Sequence, residues 1–144
     1  MDSTREITNL LYRYVEYMDA GRLDDAASLF RWARIKTMSD ADLDSKGLRA
    51  VWEKHVQIYP CGTPRTKHLV TNALVEINEG GNKATARSYY TVMQCLDDFP
   101  LQIIAAGRYH DEFERVDGLW RFSYRDYSMM DMVGDMSRHL KNWG

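Results

Sequence analysis

Asp19 and His68 are the two residues whose types and surroundings could together take a proton from a bound molecule. Asp19 falls near the end of a helical pattern, at the edge of the apolar stripe that holds Leu11 and Val15. A helix dipole disfavours a carboxylate at its C-terminal end, and an acid beside apolar surface needs a cation or a hydrogen-bond donor. Arg22 is one available partner, which would make Asp19 a solvated helix end. His68 is the other. It stands among β-formers, where a lone histidine is usually structural. Paired with Asp19 it gains a chemical use. The carboxylate accepts a hydrogen bond from one ring nitrogen, sets the tautomer and raises the basicity of the ring, leaving the other nitrogen as a general base.

Tyr14 could donate a hydrogen bond to a leaving hydroxyl or a carbonyl oxygen, although its place in the apolar stripe equally suits core packing. Arg125 could stabilise a developing negative charge. Its parity is opposite to that of Trp120, Phe122 and Tyr124, so it shares their side of the sheet only through a bulge or a strand end. Otherwise it forms a surface or interface ion pair, and Arg108 is the competing cation. Asn72 follows His68 at even spacing and is expected on the same strand face. Trp32, Trp52, Tyr90, Val92 and Phe113 are candidates for the walls of a ligand cavity. His55 is expected to pack on the third helix, His110 and His139 lack partner spacing, and no HxxxH, HExxH, phosphate-cradling glycine loop or GxSxG elbow is present. No metal or cofactor is therefore expected.

These residues must be positioned by helices first and strands afterwards. Ser3 and Glu6 have capping-box spacing, which predicts a helix from about Thr4 with Ile7, Leu10, Leu11, Tyr14, Val15 and Met18 on one face, ending before Gly21. A short helix over about 23–30, a strand over 31–38, a polar loop and a third helix over about 47–58 follow. Pro60, Gly62 and Pro64 then break the chain. Strands are expected over 66–79, with Leu69, Thr71, Ala73, Val75 and Ile77 on one side, then over 83–96, 101–116 and 119–128. Gly80-Gly81 and Asp117-Gly118 are the hairpin turns, and Pro100 is an interruption. The tail from 129 onward is Met-rich and expected to be partly helical. This order implies an α+β domain spanning residues 1–144, with N-terminal helices on a strongly curved, mostly antiparallel sheet that forms a cone around an internal pocket.

The pattern resembles the SnoaL-like branch of the nuclear-transport-factor-2-like superfamily. The resemblance runs from Ile7 to about Arg125. It rests on the opening helix with Tyr14 and Asp19, on TKHLVTN at 66–72 and on GRYHDEFERVDGLWRFSYRD at 107–126. Within the branch the chain is similar to scytalone dehydratase, bile-acid 7α-dehydratase and hexachlorocyclohexane dehydrochlorinase. The resemblance implies a lyase or isomerase that eliminates water or HCl from an apolar, often polycyclic molecule. It implies a histidine base oriented by an aspartate and needs no metal or organic cofactor. It puts the aspartate at Asp19, the histidine at His68, the helix tyrosine at Tyr14 and the late-strand arginine at Arg125, and it implies a homo-oligomer, trimer or dimer. The superfamily also holds non-catalytic binding proteins and dioxygenase β subunits, so membership leaves the reaction open.

Composition is compatible with this. A net charge of −2 over 144 residues gives no electrostatic footprint for nucleic acid or an anionic membrane. Four Trp, nine Tyr, four Phe and eight Met suit a pocket for a flat ligand, or simply a well-filled core. Cys61 and Cys95 show no pairing pattern and are expected as free thiols in the cytoplasm. The stretch MDSTREITNL lacks the features of a secretory signal.

Overall fold

The computed structural model describes residues 2–143. Helix α1 spans Ser3–Asp19, α2 Leu23–Ser28 and α3 Ser45–His55. The strands are β1 Arg34–Lys36, β2 Thr66–Asn78, β3 Lys83–Leu96, β4 Phe99–Val116, β5 Leu119–Asp126 and β6 Met132–Val133. The sheet order is β1-β5-β4-β3-β2, with β6 also pairing with β4. Among the described residues, only the β1–β5 pair is parallel. The helices lie against this open, curved sheet, giving the α+β cone.

Helix α1 is set by its apolar stripe. Ile7, Leu10, Leu11, Tyr14, Val15 and Met18 are all buried, each contributing about 1.5–3 kcal/mol. Its cap differs from the expected one. Asp2, not Ser3, is the N-cap and accepts the backbone N–H of Arg5. Glu6 is thereby free to accept the backbone N–H of Trp120 at 2.8 Å, which ties α1 to the start of β5. At the far end Gly21 has φ +74°, and a Cβ there would meet the carbonyl oxygen of Gly62 at 2.0 Å. Glycine is thus required where the chain leaves Asp19.

The sheet curves because of bulges. On β2, Thr71 pairs with Tyr89 and Leu74 with Arg87, so Asn72 and Ala73 share one partner position, with Asn72 at φ +43°. On β4, Ile104 is the extra residue between Ile103 and Ala105. On β5 the extra residue is Ser123, since Phe122 pairs with Phe113 and Tyr124 with Glu112. Each bulge reverses the inward and outward sides of its strand. On β2 the sheltered set is Thr66, His68 and Val70 before the bulge and Ala73, Val75 and Ile77 after it. Leu69 and Thr71 are exposed, against strict alternation.

Four further expectations change. β1 is only three residues long, because 3₁₀-type bonds from Phe30 to Ala27 and from Ala33 to Phe30 carry the turn of α2 onward. α3 starts earlier than expected, capped by Asp44, whose carboxylate accepts the backbone N–H of Gly47. Pro100 lies inside β4 in the irregular pairing between Gln94 and Leu96, where the ladder asks no N–H of it. The tail beyond Asp126 holds β6 and a turn rather than a helix, and its last residue, Gly144, lies outside the described residues.

Candidate functional site

The C-terminal turn of α1 lands on the first residues of β2, and Asp19 is spent there. Its Oδ1 accepts the hydroxyl of Thr66 at 2.8 Å and lies 2.5 Å from Nδ1 of His68, while its Oδ2 accepts the backbone N–H of His68 at 2.8 Å. Arg22 is not its partner but pairs with Asp25. The last turn of α1 carries no basic residue, so these donors replace one. Burial pushes the carboxyl up, but the bonds from His68 and Thr66 outweigh it and hold Asp19 below the usual aspartate value. An ionised carboxylate only accepts, so Nδ1 of His68 carries the proton and Nε2 keeps its lone pair. Both side chains are sheltered from solvent.

His68 forms part of the wall of a cavity of about 570 Å³. The rest of the wall is chiefly apolar. Trp52 and Val51 come from α3, Met18 from α1, Tyr90 and Val92 from β3, and Ala105 and Tyr109 from β4. Tyr127, Met130, Met136, His139 and Trp143 come from the tail. Gly107 makes room for this arrangement, since a Cβ there would meet the Tyr90 ring at 2.7 Å and the Met129 carbonyl at 2.3 Å.

A layer of tyrosines makes one side. Tyr90 and Tyr109 stack at 4.4 Å, and Tyr127 lies 6.0 Å beyond Tyr109. The Tyr14 hydroxyl sits 2.8 Å from that of Tyr127, but Tyr14 is fully buried behind the wall. Burial raises Tyr14, Tyr90 and Tyr109 above the ordinary phenol value, so their hydroxyls keep their protons as donors.

Arg125 lies beneath this layer. The β5 bulge turns it inward despite its sequence parity. Its guanidinium sits 3.8 Å from the centre of the Tyr109 ring and 4.5 Å from that of Tyr14. It bonds Asp111 with Nε at 2.7 Å and Nη2 at 3.1 Å, and both side chains are 0% exposed. Burial alone would favour losing the proton, but the Asp111 carboxylate more than restores it and the guanidinium stays charged. Neither Arg125 nor Tyr14 reaches the cavity surface.

Of the wall candidates from sequence, Trp52, Tyr90 and Val92 line the cavity. Four others lie elsewhere. Trp32 is 48% exposed, held between Arg31 and Arg121 at 4.2 Å from each. Asn72 is turned to solvent by the β2 bulge and bonds Thr71. Arg108 pairs with Asp131 at 2.8 Å on the outer side of β4. Phe113 is core, packed on Phe122 at 4.7 Å.

Sequence reasoning passed over Tyr109, Tyr127, His55 and His139, which all line the cavity. Tyr109 shares alternating spacing with Asp111 and Phe113, a signal that was readable. His139 had none, because its approach depends on how the tail folds back. Among the described residues, no group of three or more His, Cys, Asp or Glu is placed to hold a metal ion, and no helix is long and apolar enough to cross a membrane.

Several solved structures share this architecture. An NTF2-like protein with a cystatin-like fold from Novosphingobium aromaticivorans matches with TM-score 0.70 at 21% identity, over 89% of this chain and 82% of that one. A candidate scytalone dehydratase from the same organism gives 0.66 at 18% identity, over 93% of each chain. The beta subunit of a candidate aromatic-ring-hydroxylating dioxygenase, also from that organism, gives 0.68 at 22% identity over 94% of each. At such identities the likeness speaks for the fold alone. No curated protein matches the chain. The family model for the SnoaL-like domain matches residues 1–126, which takes in α1, the Asp19–His68 contact and the sheet through β5, and the chain belongs to that family.

Proposed function

We propose that the chain is a cofactor-independent lyase or isomerase acting on a hydrophobic ring compound. The observation that carries this reading is the Asp19–His68 pair opening onto an apolar, aromatic-walled cavity. Nε2 of His68 takes a proton from a carbon next to a carbonyl or a leaving group. The C–H electrons form the new double bond, and the leaving group departs with its own electron pair. The proton rests on His68, whose imidazolium is stabilised by Asp19, and then passes to the departing hydroxide to give water, or to solvent when a halide leaves, which returns His68 to its base form. In the isomerase form of the reaction the same proton returns to a different carbon. The oxygen-stabilising part falls to Tyr127, which lines the cavity, while Tyr14 holds its hydroxyl from behind. Arg125 acts from below Tyr109 by its field rather than by contact.

The test is turnover of a panel of hydroxylated, keto and halogenated ring compounds, followed by mass spectrometry for loss of water or HX or for isomerised product. His68→Ala and Asp19→Asn are expected to lower turnover by about 10²–10⁴. Unchanged turnover in both variants would sink the mechanism.

A second reading has one observation in its favour, the similarity to a dioxygenase beta subunit noted above. It makes the chain a structural partner of a larger iron-containing subunit, and co-purification of such a subunit would support it. The exposed apolar side chains of Leu101, Ile103 and Met132 on β4 and β6 support self-association as a dimer or trimer, which light scattering would read. The exposed free thiols Cys61 and Cys95 suit a reducing cytoplasm.

A further inference from the structure

His139 is a histidine in a place that asks for a hydrocarbon. It is 7% exposed and lines the apolar cavity. Its Nδ1 is buried without a hydrogen-bond partner, and among the described residues no protein group bonds its side chain. A leucine would fill this space without leaving a polar atom unsatisfied. The segment around it is firmly held, but entirely by other groups. The His139 carbonyl accepts the backbone N–H of Gln57 at 2.8 Å, and its own N–H donates to Met136. The Gln94 side chain and the Tyr59 hydroxyl both donate to the Arg138 carbonyl. The backbone thus delivers an idle imidazole to the cavity.

It is delivered opposite His68. The two ring centroids are 6.5 Å apart, with the rings tilted by 69°. A hydrogen bond of about 2.8 Å, added to about 1.1 Å from ring nitrogen to ring centre, puts an oxygen about 3.9 Å from a centroid. An oxygen at that distance from both rings sees them at an angle of about 110°, which matches the directions of a hydroxyl's proton and lone pairs. Burial and the neighbouring His68 push the His139 imidazolium down to about 4, so at neutral pH the ring is uncharged and offers one donor and one acceptor. His139 also lies beyond residue 126, where the family match stops.

We propose that His139 is a substrate-binding residue that shares one ligand oxygen with His68, so that the cavity selects ring compounds carrying a hydroxyl group at the reacting end. This deepens the lyase or isomerase reading and rests on it for the word substrate. The binding claim is tested without turnover, so the two can fail separately.

The probes are 2-naphthol and naphthalene, with affinities measured by titration calorimetry on the full chain. Wild-type protein is expected to bind 2-naphthol about tenfold or more tighter than naphthalene, as a shared hydrogen bond in an apolar site should give. His139→Leu should abolish most of that preference and leave naphthalene affinity within about twofold, and His139→Asn should restore part of it. A preference that survives in His139→Leu would overturn the proposal. So would an equal loss for both probes, which marks a purely structural residue, or no binding of 2-naphthol to the wild type. Should His139→Leu fail to fold, ¹⁵N shifts in the wild type decide the matter. Adding 2-naphthol should move ring nitrogens of both His68 and His139, and movement at only one would sink the shared oxygen. Naphthol binding that depends on His139 in a protein that turns nothing over would defeat the lyase reading and leave this one standing.

Discussion

Among the described residues two acid–base pairs are sheltered from solvent, and they differ in what is left over. At the cavity wall, Asp19 is spent on a hydroxyl, a backbone N–H and Nδ1 of His68, and the pair still has one free nitrogen facing open space. In the core, Asp111 accepts Nε and Nη2 of Arg125 under a roof of Tyr14 and Tyr109, Nη1 of Arg125 is sealed in without a partner, and neither side chain is exposed at all. The two pairs are made by different chain crossings. The first is built at the rim, where a helix end meets a strand start. The second is built across two neighbouring strands at a bulge. A pair with no open end can only stabilise or supply a field; a pair with one open end can exchange a proton.

The largest separation between them should appear in stability. Arg125→Met leaves the Asp111 carboxylate buried and alone, and is expected to cost about 3–5 kcal/mol in urea unfolding. Adding Asp111→Leu should recover most of it. A double variant no more stable than the single one would mean that the pair is not the isolated unit described here.

The cavity corner should respond to pH instead. The folded-state pKa of His139, about 4, lies below the ordinary 6.5. The unfolded chain therefore takes up a proton before the folded one does. Stability is full above pH 6.5 and declines as pH falls from 6.5 to 4, by about 3 kcal/mol for this group. Asp19, whose pKa is lowered, contributes in a different window, present above its ordinary 3.8 and lost only as pH falls below that. Unfolding curves of wild type and His139→Leu should diverge between pH 6.5 and 4, and parallel curves would contradict the burial assigned to His139. The smallest effect is expected at the contact between the two regions. Tyr14→Phe removes one hydrogen bond to Tyr127 and keeps the ring over Arg125, and should cost about 0.5–1.5 kcal/mol.

Much of this is legible in the sequence. The stripe from Ile7 to Met18 defined α1. Asp117-Gly118, both at positive φ, defined the β4–β5 turn. The oddity of a carboxylate at a helix C-terminus pointed to a donor partner, and His68 lies beside it. What stayed hidden was bulges and the tail. Alternation is a local rule, and one extra residue inverts it. The bulge at Ser123 brings Arg125 inward, and the one at Asn72 and Ala73 turns Asn72 outward. The tail carries His139 to the cavity through backbone bonds to Gln57 and the α3 end, and such long-range pairing leaves no period in the sequence.

The central claim is that Asp19 fixes His68 with its proton on Nδ1 and its lone pair on Nε2. Ring ¹⁵N chemical shifts of His68 at neutral pH read this without any substrate. Wild-type protein should show the Nδ1–H tautomer. In Asp19→Asn the amide oxygen must face the His68 backbone N–H that Oδ2 now accepts, so the NH₂ group faces the ring, Nδ1 must accept and the proton moves to Nε2. A wild-type spectrum showing Nε2–H, or a variant with the tautomer unchanged, would contradict the account.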